Sequence, residues 1–186
     1  MTAYVGTRAP RVDSVEKVTG EAVYGVDVQI AGTLHGAVLR SPYPHARIVA
    51  IDTAAAESAP GVEVVVTGRD FPLLFGAAIR DQPFLAIDRV RYVGEPVVAV
   101  AATSEAAAQE AVDLIRVDYE ELPAVVDMRL ALADDAPLVH PDLHEYERLP
   151  TEIVPHTNIN TIYRHERGDV EAGFAASDFV FEGEYS

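Results

Sequence analysis

Apolar and polar positions follow their clearest pattern in the middle of the chain. Residues 97–101 (VVAVA) form a nearly continuous apolar run, which predicts a strand covered on both faces. After a capping serine, apolar residues recur at i, i+3, i+4 and i+7, and this spacing predicts a helix over 104–114. Residues 115–119 then alternate as in a strand. A strand, a helix and a strand joined by short junctions predict a crossover unit.

Weaker patterns flank this unit. Local composition predicts three strands, one helix and one loop: strands at 34–40, 47–51 and 62–67, a helix between Asp52-Thr53 and Pro60-Gly61, and a loop at 71–84. We therefore expect a compact α+β domain over 34–128 with two main helices and a mixed sheet. That sheet should include 62–67, 97–102 and 116–119.

The chain divides into three parts. Residues 1–25 contain Pro and Gly with poor alternation and are expected to form an extended arm, followed by the domain over 26–133. Residues 134–186 are expected to be an irregular connector that contains one capped helical turn after Asp169. Residues 178–185 alternate towards a strand that the end of the sequence interrupts, a pattern typical of a fragment.

Composition narrows the class of protein. The 186 residues carry a net charge of −16 and no cysteine, so disulfides, thiolate zinc sites, cysteine nucleophiles and iron–sulfur clusters on this chain are excluded. The acidic charge argues against nucleic acid and anionic membranes, which need clustered Lys and Arg. We find no signal-peptide pattern and no apolar run of membrane-spanning length, so we expect a soluble, cytoplasmic protein.

One group of residues contains the side chains of a hydrolase triad. Ser41, His45 and Asp52 are a serine, a histidine and an aspartate within a dozen positions. Ser41 lies between Arg40 and Pro42, without the small residues that form a nucleophile elbow. We therefore reject the triad.

The histidines offer a possible metal site. His140 and His144 have the i, i+4 spacing that presents two imidazoles on one helix face, with Asp142 between them. The segment has no helical pattern and lacks the glutamate of the HExxH motif, so a surface loop is the favoured interpretation. His156 and His165 have no evident partners.

Acidic residues and glycines complete the candidates. Asp118, Glu120 and Glu121 end a predicted strand, where paired carboxylates can share a proton or hold Mg²⁺. A solvated acidic edge is favoured, although basic groups from a neighbouring chain or domain are an open alternative. The glycines of 20–25 (GEAVYG) and Gly94 fit no phosphate-binding motif, and we expect them to permit positive φ or close backbone approach. From the residues alone, we predict no catalytic, cofactor-binding or metal-binding residue.

A set of short motifs, in order along nearly the whole chain, resembles the molybdenum-binding large subunit of the xanthine dehydrogenase/aldehyde oxidase family. The matching segments are 11–13 (RVD), 16–24 (EKVTGEAVY), 39–42 (LRSP), 44–48 (PHARI), 51–52 (ID), 60–62 (PGV), 90–97 (VRYVGEPV), 117–125 (VDYEELPAV), 168–171 (GDVE) and 176–178 (ASD). The resemblance implies the amino-terminal α/β-hammerhead domain with its arm and connector.

The resemblance also implies a function for a longer parent protein. Family members are molybdenum hydroxylases that act on aldehydes, purines, N-heterocycles or aromatic thioesters, or oxidise carbon monoxide. They use a molybdenum–pterin centre, with [2Fe–2S] clusters and FAD in partner domains or subunits. The family's pterin contacts and catalytic base lie beyond this sequence, so we expect this fragment to bind no cofactor and to be a scaffold. The arm (11–24) and the 42–47 turn would then be contact elements, in which His45 and Arg47 bond backbone or carboxylates.

Two other functions are kept for comparison. A stand-alone module that binds a partner without chemistry is the main alternative, and a stop codon after Ser186 would favour it. A metallohydrolase that uses His140 and His144 is the third, and stoichiometric zinc lost on His140→Ala would support it.

Overall fold

The structure is a computed structural model that describes residues 6, 8, 11–28, 30–150, 152 and 154–185. Its strands, in chain order, are His35–Arg40 (β1), Ala46–Asp52 (β2), Val62–Thr67 (β3), Leu74–Phe75 (β4), Gln82–Pro83 (β5), Arg89–Val90 (β6), Pro96–Ala102 (β7) and Arg116–Glu121 (β8). Its α-helices are Ser14–Thr19 (α1), Ala54–Glu57 (α2), Glu105–Leu114 (α3) and Val170–Ala175 (α4). Short 3-10 helices span Gly25–Asp27, Leu130–Leu132 and Leu143–Glu145. The predicted α+β class is confirmed.

The first sheet has β7 at its centre, between β1 and β3, and both pairings are antiparallel. Val98 lies opposite Leu39 of β1 and Thr67 of β3. Alternate residues of a strand share a face, and on β7 one such set (Val98, Val100 and Ala102) is buried. The set on the other face is less uniform, because Ala99 and Ala101 are only half-buried. The sequence predicted that both faces of this strand are buried, and only one face is fully buried.

The second sheet joins β6, β2 and β8, again antiparallel. The expected crossover unit is therefore wrong: β8 pairs with β2 and not with a strand of the first sheet. The three predicted strands were expected in one mixed sheet, and instead they divide between two antiparallel sheets. The periodicity of a strand shows which of its faces is buried, but it carries no information on its neighbour in a sheet.

Helix α3 follows the sequence pattern closely. The Ser104 hydroxyl accepts a hydrogen bond from the backbone N–H of Ala107, as a capping residue should. Ala108, Ala111 and Val112 are buried, and the last two join the apolar core that contains Val98. The helix packs on β1 and β7 of the first sheet. The second expected helix, α2, is only four residues long.

Three segments differ from expectation. The arm contains α1 where extended chain was predicted, and a 3-10 helix, Gly25–Asp27, begins at its last residue. Gly20 ends α1 in the left-handed region, with φ of 78°. The predicted loop at 71–84 includes the β4–β5 pair. Residues 178–185 form no strand among the described residues, although their sequence alternates, since no neighbouring strand is paired with them there.

The connector is partly attached to the domain. Arg80 donates its backbone N–H to the carbonyl of Glu147, and the side chains of the two residues form an ion pair at 2.9 Å. In α4, the Asp169 carboxylate accepts from the N–H of Ala172, which confirms the expected capped turn. Within the described part of the chain, no helix has the length and apolar character needed to cross a membrane.

Candidate functional site

The turn that follows β1 is held by its own backbone and by the segment before β7. The N–H of Ser41 donates to the carbonyl of Glu95 at 2.9 Å, and the N–H of Gly94 donates to the carbonyl of Ser41 at 2.8 Å. The Ser41 hydroxyl is buried and bonds the backbone N–H and carbonyl of Tyr43, both at 3.0 Å. Gly94 has a φ of 89°, which agrees with the positive φ expected for this glycine. Ser41 is therefore a turn residue.

His45 closes this turn against the end of the second sheet. Its ring Nδ1 lies 2.7 Å from the carbonyl oxygen of Pro123, so Nδ1 carries the proton and donates it. Its own carbonyl accepts from the N–H of Leu122. The other ring nitrogen, Nε2, is buried without a hydrogen-bond partner. The Asp52 carboxylate accepts from the N–H of Ala54, the first residue of α2. Ser41, His45 and Asp52 thus bond different groups and form no triad.

The acidic cluster receives a basic group from within the chain. Arg47 on β2 is the register partner of Glu120 on β8, and their side chains form a close ion pair. Asp118 and Glu121 are exposed. This geometry agrees with the favoured interpretation of a solvated acidic edge. The basic group that pairs with Glu120 is Arg47 of the adjacent strand. The expectation that His45 and Arg47 bond backbone and carboxylate is confirmed.

Glu95 is a buried carboxyl that sequence reasoning missed. It is 4% exposed, and its Oε2 accepts a hydrogen bond from the backbone N–H of Arg91. Burial raises the pKa of the Glu95 carboxyl above its ordinary value, against the opposing effect of that hydrogen bond and of the Arg91 charge. The signal in the sequence was weak: a glutamate between glycine and proline, directly before a buried strand.

Two concavities of about 400 Å³ each lie where the connector meets the domain. They share three lining residues, Asp81, Val139 and His140. The first is lined further by Val125, Val126, Asp127, Met128, Ala131, Leu143, Thr157, Asn158 and Asn160. The second is lined further by Phe75, Gln82, Pro83, Arg91, Tyr92 and Glu95.

His140 lies between these concavities and is kept neutral. Burial, and then the charge of Arg91, lower the pKa of His140 to about 4. Its Nδ1 lies 3.3 Å from the hydroxyl of Tyr146. His144 has another neighbour, His156, at a ring-centroid distance of 6.1 Å. Among the described residues, no group of three or more His, Asp or Glu side chains is arranged to hold a metal ion.

Asn158 fastens the connector beside the first concavity. Its side-chain N–H groups donate to the carbonyls of Ala131 and Pro137, and its side-chain oxygen accepts from the N–H of Val139. Three hydrogen bonds to backbone fix the segments on either side of the concavity. Nothing in the sequence singles out this asparagine, since its partners lie about 20 residues or more away.

The two antiparallel sheets, with helix α3 packed on the first, form an α+β domain whose architecture is consistent with an α/β hammerhead. Residues 19–123 match the model of the aldehyde oxidase and xanthine dehydrogenase a/b hammerhead domain. The chain belongs to this family of oxidoreductases, as the sequence motifs predicted.

Similar proteins are several times longer than this chain. A probable xanthine dehydrogenase component of Bacillus subtilis is 45% identical over 94% of the chain, which covers 22% of that protein. The nicotinate dehydrogenase large molybdopterin subunit of Eubacterium barkeri is 38% identical over 98% of the chain and 40% of that protein. The structure of the reconstituted CO dehydrogenase from Oligotropha carboxidovorans superimposes with a TM-score of 0.70 at 37% identity, over 74% of the chain and 18% of that structure's chain. The chain therefore spans about a fifth to two-fifths of the length of these proteins.

The residues at the concavities do not fit a molybdenum–pterin group. That group carries a phosphate, and an anion needs cationic or N–H donors around it. The first concavity has the carboxylates of Asp81 and Asp127, no Lys or Arg in its lining, and a neutral His140. In the second, Arg91 is accompanied by Asp81 and Glu95 and donates its Nε–H to the carbonyl of Val139. We therefore derive no chemical step through such a group on these residues.

Proposed function

We propose that this chain is the amino-terminal structural part of the molybdenum–pterin subunit of a molybdenum hydroxylase. One observation carries the proposal: the Bacillus subtilis protein matches 94% of this chain at 45% identity, while the chain covers only 22% of that protein. The simplest explanation for such a match is that this chain is one part of a longer polypeptide of the same kind. The oxidoreductase activity then belongs to the longer subunit, and the isolated fragment is inactive.

The interior of the domain supports a scaffold role. Ser41, His45 and Glu95 are its buried polar side chains among the described residues. Each bonds backbone: Ser41 and Glu95 within their own turns, and His45 at the distant Pro123. Side chains that bond backbone in this way hold turns in place and are poor candidates for proton transfer to a substrate. No catalytic, cofactor-binding or metal-binding residue is assigned to this chain.

The rest of the assembly follows from the family. We propose a molybdenum–pterin centre in the remainder of the subunit, with [2Fe–2S] clusters and FAD in partner domains or subunits. The partners of this chain are that remainder and the iron–sulfur and flavin components. A cytoplasmic location suits an acidic chain without cysteine.

The test begins with the gene. The reading frame should continue past Ser186 for several hundred codons, and the encoded polypeptide, expressed with its neighbouring genes, should reduce a redox dye in a molybdenum-dependent way. The 186-residue chain, purified in parallel, should neither turn over any substrate nor retain a pterin. A stop codon at Ser186 would favour the stand-alone binding module, and a fragment that turns over substrate would contradict the scaffold role.

The contact role of the 42–47 turn has its own test. In the full enzyme, His45→Ala and Arg47→Ala should each lower the yield of assembled complex or its pterin content. His165→Ala, at an exposed position of the connector, is the matched control. Normal assembly, pterin content and turnover in both turn variants would show that the turn is no contact element.

A further inference from the structure

The first concavity, where the connector meets the domain, has an apolar lining large enough for a small molecule. Leu143 is buried there, and Val125 and Val139 are half-buried. Two further apolar side chains of the lining, Val126 and Met128, are 88% and 84% exposed, so an occupant would cover them. The volume of about 400 Å³ lies in the range of about 300–1,000 Å³ that is typical of small-molecule sites. The concavity can therefore hold the apolar body of a small organic molecule.

Two polar residues of the lining use their side chains to hold the backbone. Asn158 bonds three backbone groups of the neighbouring segments. The hydroxyl of Thr157 donates to the carbonyl of Val154 and accepts from the N–H of Ile159. These bonds fix the shape of the concavity before any molecule binds, which lowers the entropy cost of binding.

The carboxylates that line the concavity have no cationic partner among the described residues. Asp81 is half-buried, and within that part of the chain its side chain forms no hydrogen bond or ion pair. Asp127 uses only its Oδ1, which accepts from the N–H groups of Arg129 and Leu130. The guanidinium of Arg129 is paired with Glu184 at 2.6 Å and does not neutralise Asp127. Hydrogen-bond acceptors with negative charge are therefore available to an occupant.

The neighbouring basic groups leave this acidic character unchanged. His140 is neutral, so its imidazole adds no positive charge to the lining. Arg91 lines the second concavity and not the first, and its Nε–H donates to the carbonyl of Val139. A hydrogen bond from a cation to a carboxylate is about twice as strong as one between neutral groups, and partial burial reduces its screening by solvent. The lining that disfavours a phosphate thus favours a cation.

We propose that the first concavity binds a small organic cation, a protonated amine or N-heterocyclic base, whose N–H group donates to Asp81 and whose apolar body covers Val126 and Met128. An inserted Lys or Arg side chain has the same charge but fills only part of the volume, so a free molecule matches the concavity better. This binding involves no step of the oxidoreductase reaction and does not rest on the proposed function.

Calorimetric titration of the full-length polypeptide that contains this chain tests the proposal, with benzylammonium as the probe. Benzyl alcohol and benzoate are neutral and anionic molecules of similar shape. Benzylammonium should bind with one-to-one stoichiometry and at least about 10-fold more tightly than either of them. Absence of saturable binding, or equal affinity for the three probes, would overturn the proposal. Binding to the 186-residue chain but not to a longer full-length polypeptide would assign the concavity to another segment of that polypeptide and would also overturn it.

Variants of the same polypeptide locate the bound cation. Asp81→Asn should weaken the binding of benzylammonium at least about 10-fold. Asp113→Asn removes the same charge from an exposed position of α3 and should stay within about twofold of the parent, because solvent and salt screen that carboxylate. Equal losses in the two variants would show non-specific attraction to an acidic chain and contradict the proposal.

A second pair of variants changes only an exposed side chain and leaves the core intact. Met128→Lys places a positive charge at the concavity and should weaken binding at least about 10-fold, whereas Met128→Leu should stay within about threefold of the parent. Parental affinity in both Asp81→Asn and Met128→Lys would place the cation elsewhere and overturn the proposal.

Discussion

Protonation of His140 should weaken the attachment of the connector to the domain. The imidazole is half-buried between the two concavities, and its Nδ1 lies 3.3 Å from the Tyr146 hydroxyl. Burial and the nearby charge of Arg91 lower the pKa of His140 to about 4 from the ordinary value of 6.5. In the unfolded chain the same group takes up a proton near its ordinary pKa. Between about pH 4 and pH 6.5, the imidazole is therefore mostly neutral in the folded state and mostly protonated in the unfolded state.

The size and sign of the effect follow from the two pKa values. Above pH 7 the imidazole is neutral in both states and contributes no pH dependence. As the pH falls below 6.5 the unfolded state binds a proton first, so the free energy of unfolding decreases, by at most about 2 kcal/mol at pH 5 and about 3 kcal/mol at pH 4. Glu95 acts in the opposite direction, because its raised pKa means that the folded state takes up a proton first as the pH falls.

The assay compares the parent chain with His140→Gln, which keeps a polar side chain and cannot be protonated. Urea unfolding can be followed by tyrosine fluorescence, since the chain has 8 Tyr and no Trp. The parent should lose more stability between pH 7 and pH 5 than His140→Gln does, by up to about 2 kcal/mol, and the contribution of Glu95 cancels in this difference. His165→Gln, at an exposed site, should keep the parental profile. Identical profiles for the parent and His140→Gln would refute the reasoning.

Other residues should contribute different free energies to stability, according to their burial and backbone conformation. A double-mutant cycle with Arg47→Ala, Glu120→Ala and the double variant should give a coupling free energy below about 1 kcal/mol that falls in high salt. Both side chains are more than half exposed, so solvent and salt screen the ion pair. A larger, salt-independent coupling would contradict this. Gly94→Ala should lower the free energy of unfolding by about 1–2 kcal/mol, because φ there is 89°, whereas Gly173→Ala in α4 should be neutral or stabilising in the same urea titration. Val98→Ala should cost about 2–3 kcal/mol, since it removes two carbon atoms from a fully buried side chain, and a loss below about 0.5 kcal/mol would show that the core there is loose.

Local chemistry was predictable where neighbours in sequence decide it. Helix α3, its Ser104 cap and the buried stripe of Ala108, Ala111 and Val112 follow from periodicity and capping alone. The positive φ of Gly94 follows from the residue type and its turn context. The rejection of the Ser41 nucleophile also rested on local context, and the structure shows the hydroxyl bonded to the backbone two residues further on.

The candidate site was predictable only in part. Arg47 and His45 were expected to bond a carboxylate or backbone, but their partners, Glu120 and Pro123, lie more than 70 residues away and only the fold brings them close. Glu95 lies beside the second concavity together with Val139 and His140, which are more than 40 residues away in the sequence. Long-range proximity leaves no periodic trace in a single sequence.

The sequence by itself determined the class of fold, the main helix, most strands and the family, because each depends on residue types at fixed short spacings. Tertiary structure alone decided that β8 pairs with β2, that the three predicted strands divide between two antiparallel sheets, and that His140 becomes a neutral, half-buried imidazole. Strand pairing and burial are set by the free energy of packing the whole chain, to which contacts between residues distant in sequence contribute. That sum over distant contacts cannot be evaluated from local pattern.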